Sequence, residues 1–417
     1  MTFESLTEDE FRKFLSNHPL KTFLQTPEIG KLRTSNGWNY EFVGVKKNKK
    51  LVAATMLLSK KEFKGHFEFY SPRGLLVDYQ DKKLLTFFVN ELKKYINDKD
   101  GYILRIDPYL IKQQRDINGD IVENGVDNRN VIGYLEELGF VKSAHDEQAA
   151  WAFSLDLENM DEDKIMKNMK SNVRNIIRKA IKNGIKIREL NYDSLSEFKA
   201  ITESTSARRE FVDKPLSYYQ DMYNLYHNKD EVKYIIAEIN LKEYKQGLVD
   251  ELEDTIKKIN EYKKNNRSHD GKFKNAEIRK KDLEKQIKDA NNLIDGADSE
   301  VIPLSAAMFM TFGDEVLYLC SGTDGKYMFF NGQYLIQWYM IKWGLEHKFK
   351  KYNFYGISGN FDKSHPQYGI YKFKKGFNGY VEETIGEYEL PINNIYYKYC
   401  KYLKFKNFIK KILRRKW

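Results

Sequence analysis

Apolar positions recur with two different periods along the chain, and the two periods alternate. Short apolar runs at 40–45, 51–58 and 232–239 predict strands. Apolar residues three and four positions apart in 82–96 predict a helix, and Thr7 before three acidic residues predicts the N-cap of another. This alternation of strands and helices predicts an α/β (α+β) chain.

The composition changes abruptly between Leu241 and Asp295, where proline is absent, aromatic residues are few and charged residues are dense. In the second half of this segment, apolar positions are spaced alternately three and four residues apart, as in a coiled coil. A turn-rich stretch at 264–272 separates the two halves. The region 241–300 therefore predicts an inserted antiparallel helical hairpin.

The predicted elements divide the rest of the chain into two α/β domains and a terminal helix. The first domain comprises 1–150. The second comprises 151–240 together with 301–390, because the pattern of strands and helices resumes after the hairpin. A helix is predicted for 391–417. Both domains have the same coarse order of elements, which suggests a duplicated fold.

The composition is that of a globular chain with a basic surface. Hydrophobic residues make up 41% of its 417 residues, and the formal net charge is +10. A Lys-rich composition that keeps the protein soluble is one interpretation of this charge. The other is a polyanionic partner such as nucleic acid, diphosphate groups or an anionic membrane.

The two cysteines, Cys320 and Cys400, form neither a CxxC pair nor a metal-ligand spacing. We therefore expect no disulfide framework and no metal site, which fits a reducing cytoplasm. The first residues lack the basic and apolar regions of a signal peptide, and no run of 18 apolar residues is present.

One predicted helix, from Asp161 to Lys182 with Gly184 as its stop, has no acidic residue after position 163. A solvated face opposite an apolar stripe is one interpretation. The other is a surface for RNA phosphates, because like charges four residues apart repel unless an anion neutralises them. The residues expected at such a contact are Lys170, Arg174 and Arg178.

Two further basic regions leave a similar choice open. The hairpin tip, which includes Lys264 and Arg267, belongs either to a structural or dimerising coiled coil or to an arm that touches RNA. The segment 391–417 contains nine Lys or Arg and no acid, with apolar residues at helical spacing. It is either a helix packed on its domain or a contact with an anionic membrane surface or a lipid diphosphate.

The chain contains no GxSxG, Walker loop, HExxH or zinc-ligand set. A covalent or metal-dependent mechanism is therefore disfavoured. Basic surfaces without such motifs favour transfer chemistry that depends on the orientation of two activated substrates.

A family resemblance is carried by YSPRGLLVDY at 70–79, YILRIDPY at 102–109, NFYGISGNF at 353–361 and YGIYKFKKGF at 368–377. With these motifs in this order, and with the inserted hairpin, the chain resembles the FemABX family over about residues 1–390. It is most similar to the FemA/FemB type, which lengthens the interpeptide bridge of peptidoglycan.

The resemblance implies two domains like those of GCN5-type N-acetyltransferases plus a coiled-coil arm. It implies an aminoacyl-tRNA donor and a lipid II or related muropeptide acceptor, with glycine transferred, or else serine or alanine. The turn that grips the pyrophosphate of coenzyme A is missing, and we expect no cofactor. The implied location is the cytoplasm, peripheral at the inner face of the membrane, as a homodimer or in association with related transferases.

The resemblance assigns catalytic roles to two residues. Asp107 would accept the proton of the attacking amine or hold that amine in line, although an Asp that caps the turn before Pro108 is the structural alternative. Lys374 would stabilise the oxyanion of the tetrahedral intermediate or contact the peptide carboxylate of the acceptor.

Substrate-binding roles follow from the same resemblance. Arg208 would grip the acceptor diphosphate, and Phe373 would wall the pocket. Arg33 stands where relatives usually have Lys, and Tyr318 matches a tyrosine near the acceptor. Tyr355, in the third motif, is the remaining expected member of the binding site.

Two other functions remain open from the sequence. One is an N-acyltransferase that uses acyl-CoA, which the missing pyrophosphate turn disfavours. The other is a non-catalytic RNA- or membrane-binding protein that keeps the same fold.

Overall fold

The computed structural model describes residues 1–62, 65–209 and 211–414, and these residues form two units. The first unit comprises Met1–Glu158, Met310–Leu317 and the described chain from Phe349 onward, and the second comprises Asn159–Phe309 and Tyr318–Lys348. The sequence-based boundaries assign 349–390 to the second domain instead. The strands in that stretch pair with strands that precede Glu158, so contacts group them with the first unit.

The first unit starts with a short strand followed by a capped helix. Thr7 Oγ1 accepts a hydrogen bond from the Glu10 N–H at 3.2 Å, and the Glu10 carboxylate accepts one from the Thr7 N–H at 3.0 Å. This capping box confirms the predicted N-cap. The early elements of the unit are β1 (Thr2–Ser5), α1 (Glu8–Asn17), α2 (Pro27–Thr34), β2 (Trp38–Lys47), β3 (Lys50–Lys61), β4 (Phe67–Ser71), α3 (Lys82–Asn97), β5 (Gly101–Ile106), β6 (Ile111–Gln114), α4 (Arg129–Glu137), β7 (Val141–Lys142) and β8 (Trp151–Asp156).

The second unit carries the hairpin and most of the helices that follow β8. Its elements are α5 (Glu162–Asn168), α6 (Ser171–Lys182), β9 (Lys186–Glu189), α7 (Leu195–Arg209), α8 (Leu216–Tyr226), β10 (Val232–Asn240), α9 (Leu241–Lys264), α10 (Gly271–Asp295), β11 (Val301–Phe312), β12 (Glu315–Thr323) and α11 (Gly332–Glu346). The end of β11, the turn after it and the start of β12 (Met310–Leu317) belong to the first unit.

The chain then returns to the first unit. The elements there are β13 (Lys351–Gly356), α12 (Tyr368–Lys375), β14 (Tyr380–Thr384), β15 (Tyr388–Pro391) and α13 (Asn394–Arg414). Residues 415–417 of the predicted terminal helix lie outside the described residues.

One sheet of the first unit has the strand order β1-β2-β3-β4-β5-β15-β7 within the described chain. β4 and β5 run parallel, and β15 is antiparallel to both β5 and β7. The helix α3 covers this sheet with Leu85, Phe88 and Leu92, all of which are fully buried. Burial of each such side chain stabilises the unit by about 1.5–3 kcal/mol.

The other strand layer of the first unit is formed by β6, β14, β8 and β13 in that order, followed by the start of β12. β13 pairs antiparallel with β8 and parallel with residues 315–317 of β12. The pairing places Asn353 of β13 beside Leu317 and Ser154. The same ladder pairs Glu315 of β12 with Lys351 of β13, so polar residues from β8, β12 and β13 lie on one sheet.

In the second unit, β9 and β10 are antiparallel, and β11 lies between β10 and β12. The helices α9 and α10 pack through Leu248, Leu283 and Ala290, and the Arg279 guanidinium pairs with the Glu251 carboxylate at 2.8 Å. Two of these apolar residues belong to the predicted heptad. The α/β class with an inserted helical hairpin is therefore confirmed.

The prediction of one continuous helix from Asp161 to Lys182 is wrong. Met169 and Lys170 have extended ψ angles of 151° and 142°, which separate α5 from α6. Arg174 Nη1 donates to the carbonyl oxygens of Lys167 at 2.8 Å and Met169 at 2.5 Å. The break contains neither Gly nor Pro, so the sequence offers no local sign of it, and a side chain from the next helix satisfies the carbonyls that it frees.

Candidate active site

Asp107 lies directly after β5 and is only 1% exposed. Its Oδ1 accepts the backbone N–H of Arg73 at 2.6 Å, and its Oδ2 accepts the Tyr70 hydroxyl at 3.2 Å. Burial raises the pKa of Asp107 to about 7, because the charge of Arg73 and these hydrogen bonds only partly offset the loss of water. The carboxyl group therefore titrates near neutral pH.

Arg73 connects Asp107 to a second group of polar residues. Its backbone φ is +54°, a value that L residues rarely adopt. One guanidinium nitrogen, Nη2, donates to the carbonyl of Ala149 at 2.7 Å, and the guanidinium lies 5.3 Å from the ring centroid of Tyr109. The other, Nη1, is buried and has no hydrogen-bond partner among the described residues.

Tyr109 is the centre of a partly buried polar network. Its hydroxyl donates to Glu315 at 2.7 Å and accepts from Lys351 at 3.0 Å and Asn353 at 3.1 Å. Lys351 also pairs with Glu315 at 2.8 Å and Glu382 at 3.3 Å. Burial opposes the charge on Lys351, but the two carboxylates outweigh it and raise the pKa well above the ordinary value. Partly buried charges thus compensate one another here.

Lys374, on α12, has no such compensation. It is 5% exposed, and its Nζ donates to the carbonyl oxygens of Tyr355 at 3.0 Å and Gly356 at 2.6 Å. Burial lowers the pKa of Lys374 to about 7. An ammonium has three N–H donors, so one remains without a bond to any described residue. A buried cation with a spare donor is suited to stabilising a developing negative charge.

Tyr355 presents its carbonyl to Lys374 because its backbone is left-handed, with φ at +63°. The Asn353 Oδ1 accepts the Tyr355 N–H at 2.7 Å, and the Tyr355 hydroxyl donates to Gln148 at 3.1 Å. Burial raises the pKa of the Tyr355 phenol, and both Arg73 and Asp107 act on it electrostatically. Lys374, Tyr355, Arg73 and Asp107 therefore belong to one connected arrangement in the first unit.

A cavity of about 20 Å³ is lined by Arg73, Tyr109, Asn353 and Tyr355 among others, whereas Asp107 and Lys374 do not line it. That volume holds about one water molecule. Phe373, next to Lys374, is partly exposed and its ring lies 5.6 Å from that of Phe377.

Arg33 also belongs to the first unit, near the end of α2, where it is partly exposed. No carboxylate pairs with it among the described residues. Its position leaves the guanidinium available to a ligand.

Arg208 and Tyr318 belong to the second unit. The Arg208 guanidinium is exposed and donates to the Thr323 carbonyl at 3.0 Å and to Met328 Sδ at 3.0 Å. Tyr318 is buried on β12, where its hydroxyl contacts Ser321 and accepts from Gln333 at 3.0 Å. Burial raises the pKa of Tyr318.

The residues predicted to contact RNA differ in what they touch within the second unit. Arg178 and Lys264 are exposed, and Lys170 is at the break between α5 and α6. Arg174 is engaged with the carbonyls of α5, and Arg267 pairs with Asp270 at 2.7 Å. Two of the five side chains are thus already engaged in hydrogen bonds.

Sequence reasoning missed several residues of the arrangement around Asp107 and Lys374. Tyr70 and Arg73 lie in the first quoted motif, Tyr109 ends the second, and Asn353 begins the third. Their presence in these motifs was a signal for them. Glu315 and Lys351 lie outside the motifs, and only strand pairing brings them to Tyr109.

Within the described chain, no helix has the length and apolar character needed to cross a membrane. The described residues also contain no group of three or more His, Cys, Asp or Glu side chains arranged to hold a metal ion.

Comparison with solved structures shows the fold. A crystal structure of FemX superposes with a TM-score of 0.75 at 22% identity and covers 95% of this chain and 99% of its own. This likeness agrees with the fold that the sequence resemblance implies.

Comparison with protein families and curated relatives is more specific. The FemAB family matches residues 6–405. The aminoacyltransferase FemA of Staphylococcus epidermidis is 34% identical over 418 residues, covering 97% of this chain and 99% of the relative. FemA of Staphylococcus aureus is 33% identical over 422 residues, with 98% and 99% coverage. The chain therefore belongs to the FemAB family and is an aminoacyltransferase.

Proposed function

We propose that this protein transfers an amino acid from aminoacyl-tRNA to an amine on the peptide of a lipid-linked peptidoglycan precursor, and so extends an interpeptide bridge. Glycine is the proposed amino acid, with serine and alanine as alternatives. Support comes from the family and from the two FemA relatives. The single observation that carries the chemistry is the buried Lys374 ammonium with one donor to spare.

In the proposed reaction, the neutral amine of the acceptor attacks the ester carbonyl of the donor. A C–N bond forms, the C–O bond to the ribose breaks, and the amine proton passes to the leaving ribose hydroxyl. The intermediate carries a negative oxygen. Lys374 is proposed to donate its third N–H to that oxygen, while the carbonyls of Tyr355 and Gly356 hold the ammonium in place.

The geometry favours a positioning role for Asp107 over proton acceptance. Both carboxylate oxygens already accept hydrogen bonds, and the side chain is 1% exposed. Through its hydrogen bond to the Arg73 N–H, Asp107 holds the turn in which Arg73 has its left-handed backbone. The guanidinium is thereby held against Tyr109 and the cavity.

The remaining substrate contacts are proposals of the same kind. Arg33, Phe373 and Tyr355 are proposed to bind the substrates from the first unit. Arg208, whose guanidinium is exposed and carries no carboxylate partner among the described residues, is proposed to bind the acceptor diphosphate. Tyr318 is proposed to lie near the acceptor.

The charged surfaces are proposed to bind the tRNA and the membrane. Lys170, Arg178 and Lys264 are the proposed tRNA contacts. The start of α13 packs Tyr396 and Cys400 against Tyr102, while Ile395 is 85% exposed. We propose that this exposed side of α13 faces the inner surface of the membrane.

The test is a transfer assay with purified protein, lipid II and tRNA charged with glycine, serine or alanine. A mass increase of the muropeptide by one or more residues supports the proposal, and no increase with any of the three contradicts it. Lys374→Ala should abolish transfer. Lys372→Ala is the matched control, because Lys372 is exposed on the same helix. Replacing the charged tRNA by acyl-CoA should give no product.

A further inference from the structure

Two loops of the second unit expose large apolar side chains. Val212 is 97% exposed and Phe211 is 47% exposed, and both lie in the loop between α7 and α8. Phe329 and Met328, in the 3-10 turn before α11, are 56% and 46% exposed. Single exposed apolar residues are ordinary, but four in two loops form a surface that calls for a partner.

Arg208 joins these two loops into one surface. It lies in the last turn of α7, three residues before Phe211, and its Nη1 contacts Met328 Sδ at 3.0 Å. Its Nη2 donates to the carbonyl of Thr323, which precedes the 3-10 turn. We call the four apolar side chains at Phe211, Val212, Met328 and Phe329 the loop surface.

The 3-10 turn packs against the interior of the second unit, although it exposes Met328 and Phe329. Its other two aromatic residues, Tyr327 and Phe330, are 6% and 2% exposed. Phe330 packs edge-on against Tyr244 of α9 at 5.2 Å. The turn thus directs two of its side chains inward, while Met328 and Phe329 remain at the surface.

Basic residues outnumber acidic ones in the two stretches of chain that carry the loop surface, where Glu210 and Asp324 are acidic. Arg208, Arg209, Lys214 and Lys326 are all exposed. The carboxylate of Asp213, which precedes Lys214, pairs with Lys199 at 2.8 Å and accepts the Tyr219 hydroxyl at 2.7 Å. Exposed apolar side chains close in sequence to exposed Lys and Arg are suited to the interface of an anionic bilayer, where apolar groups enter the headgroup boundary and cations contact phosphates.

We propose that the loop surface docks the second unit onto an anionic membrane. This surface is separate in sequence from α13. The inference rests on the proposed function in one respect: Arg208, the proposed diphosphate ligand, contacts Met328 of the loop surface and would meet a lipid-linked diphosphate at the depth of the headgroups.

The test is co-sedimentation of the full chain with vesicles. Vesicles of equal parts phosphatidylglycerol and phosphatidylcholine should bind the protein, whereas pure phosphatidylcholine should bind it less, and added salt should weaken binding. The double variant Val212→Glu/Phe329→Glu should lower the partition coefficient by about tenfold or more. Unchanged sedimentation of this variant would overturn the proposal.

Ile278→Glu is the matched control, because Ile278 is 61% exposed on α10, so it also places Glu at an exposed apolar site. It should sediment like the wild type. Equal losses in both variants would show a general charge effect and would also count against the proposal. Circular dichroism melting identifies a variant that fails to fold. If the double Glu variant fails to fold, Val212→Ser/Phe329→Ser replaces it, and we expect the same loss of vesicle binding.

Transfer to a water-soluble acceptor without the lipid separates this inference from the proposed function. The double variant should keep wild-type transfer to that acceptor and lose transfer to lipid II in vesicles. Absence of transfer by the wild type to both acceptors would contradict the proposed function. Vesicle sedimentation alone would then support or overturn the proposal that the loop surface binds the membrane. Wild-type binding to a soluble protein but not to vesicles would overturn the membrane assignment.

Discussion

The Asn353 side chain accepts the backbone N–H of Tyr355 at 2.7 Å, and the carbonyls of Tyr355 and Gly356 hold Lys374. Asn353 is 2% exposed and also donates to Tyr109 and Glu315. It therefore connects the partly buried polar network to the left-handed turn at Tyr355. A side chain that does not touch Lys374 thus determines where its acceptors lie.

We expect Asn353→Ala to reduce kcat and to change KM less, because the Tyr355 carbonyl would lose its fixed direction. The unpaired buried partners should also destabilise the protein by about 1–3 kcal/mol. Ile96→Val, a fully buried change that costs about 0.5–1.5 kcal/mol, controls for stability loss alone. NMR of ¹³C-labelled lysine should show the Lys374 titration displaced in Asn353→Ala and unchanged in Ile96→Val. An undisturbed titration with lost activity would contradict this role.

Replacement of Lys374 by Met should stabilise the protein while abolishing transfer. The pKa of Lys374 in the folded state is about 7, below the 10.5 of an ordinary lysine, because burial disfavours the charge. The stability associated with the neutral side chain is present above pH 10.5 and is lost as pH falls to 7. The advantage of Lys374→Met should therefore be largest below pH 7 and shrink between pH 7 and 10.5.

Urea unfolding of both proteins across this pH range measures the difference. The loss of two hydrogen bonds to carbonyls offsets part of the gain, so we expect a net advantage of about 1–3 kcal/mol at pH 6. The exposed Lys372→Met should show no such pH dependence. Destabilisation of Lys374→Met at every pH would contradict the low pKa.

Asp107→Asn should keep a substantial part of the activity if Asp107 is a positioning residue. An Asn oxygen can still accept the Arg73 N–H, so we expect kcat to fall by about tenfold or less. General base catalysis contributes about 10²–10⁴-fold, and a loss in that range would indicate proton acceptance instead. Steady-state transfer rates across pH 5–9 measure the difference.

Asp107 should also make stability depend on pH. Its pKa is raised from 3.8 to about 7 by burial, so the stability of the neutral form is complete below pH 3.8 and is lost as pH rises through 7. Asp107→Asn, which stays neutral, should therefore gain on the wild type as pH rises to 8. If the difference in unfolding free energy between the two proteins were the same at pH 5 and pH 8, the raised pKa would be contradicted.

Arg178 and Arg174 should respond differently to removal although both are on α6. Arg178→Ala should weaken tRNA binding and reduce the slope of log K against log salt by about 1, since one phosphate contact is lost. Arg174→Ala should lower the melting temperature, because the α5 carbonyls lose their donor. Titrations at several salt concentrations and thermal melts distinguish the two effects. A lower melting temperature for Arg178→Ala would count against its assignment to RNA.

The sequence motifs predicted some residues of the candidate site but not the contacts between them. Asp107, Lys374 and Tyr355 were identified by resemblance, and the structure connects them. Arg73 and Asn353 stand in the same motifs, but a motif does not reveal that Arg73 stacks on Tyr109 or that Asn353 accepts a backbone N–H. Those contacts depend on the register of β13 and on the backbone after β4.

Local features of the fold were determined by the sequence itself. The capping box at Thr7 and Glu10, the C-terminal stop at Gly184 with φ at +75°, and the hairpin heptad each depend on residues a few positions apart. Such interactions form within one turn or one hairpin, so their residue types predict them.

Tertiary structure decided what is not local. β15 inserts between β5 and β7, although it lies more than 240 residues after β7. The α5–α6 break depends on the Arg174 side chain, and the pKa values of Asp107 and Lys374 depend on burial by distant segments. The sequence by itself determined which residues carry charge and hydrogen-bonding groups. Only packing decided which of them lost water and which found a partner, and that loss of water sets their chemistry.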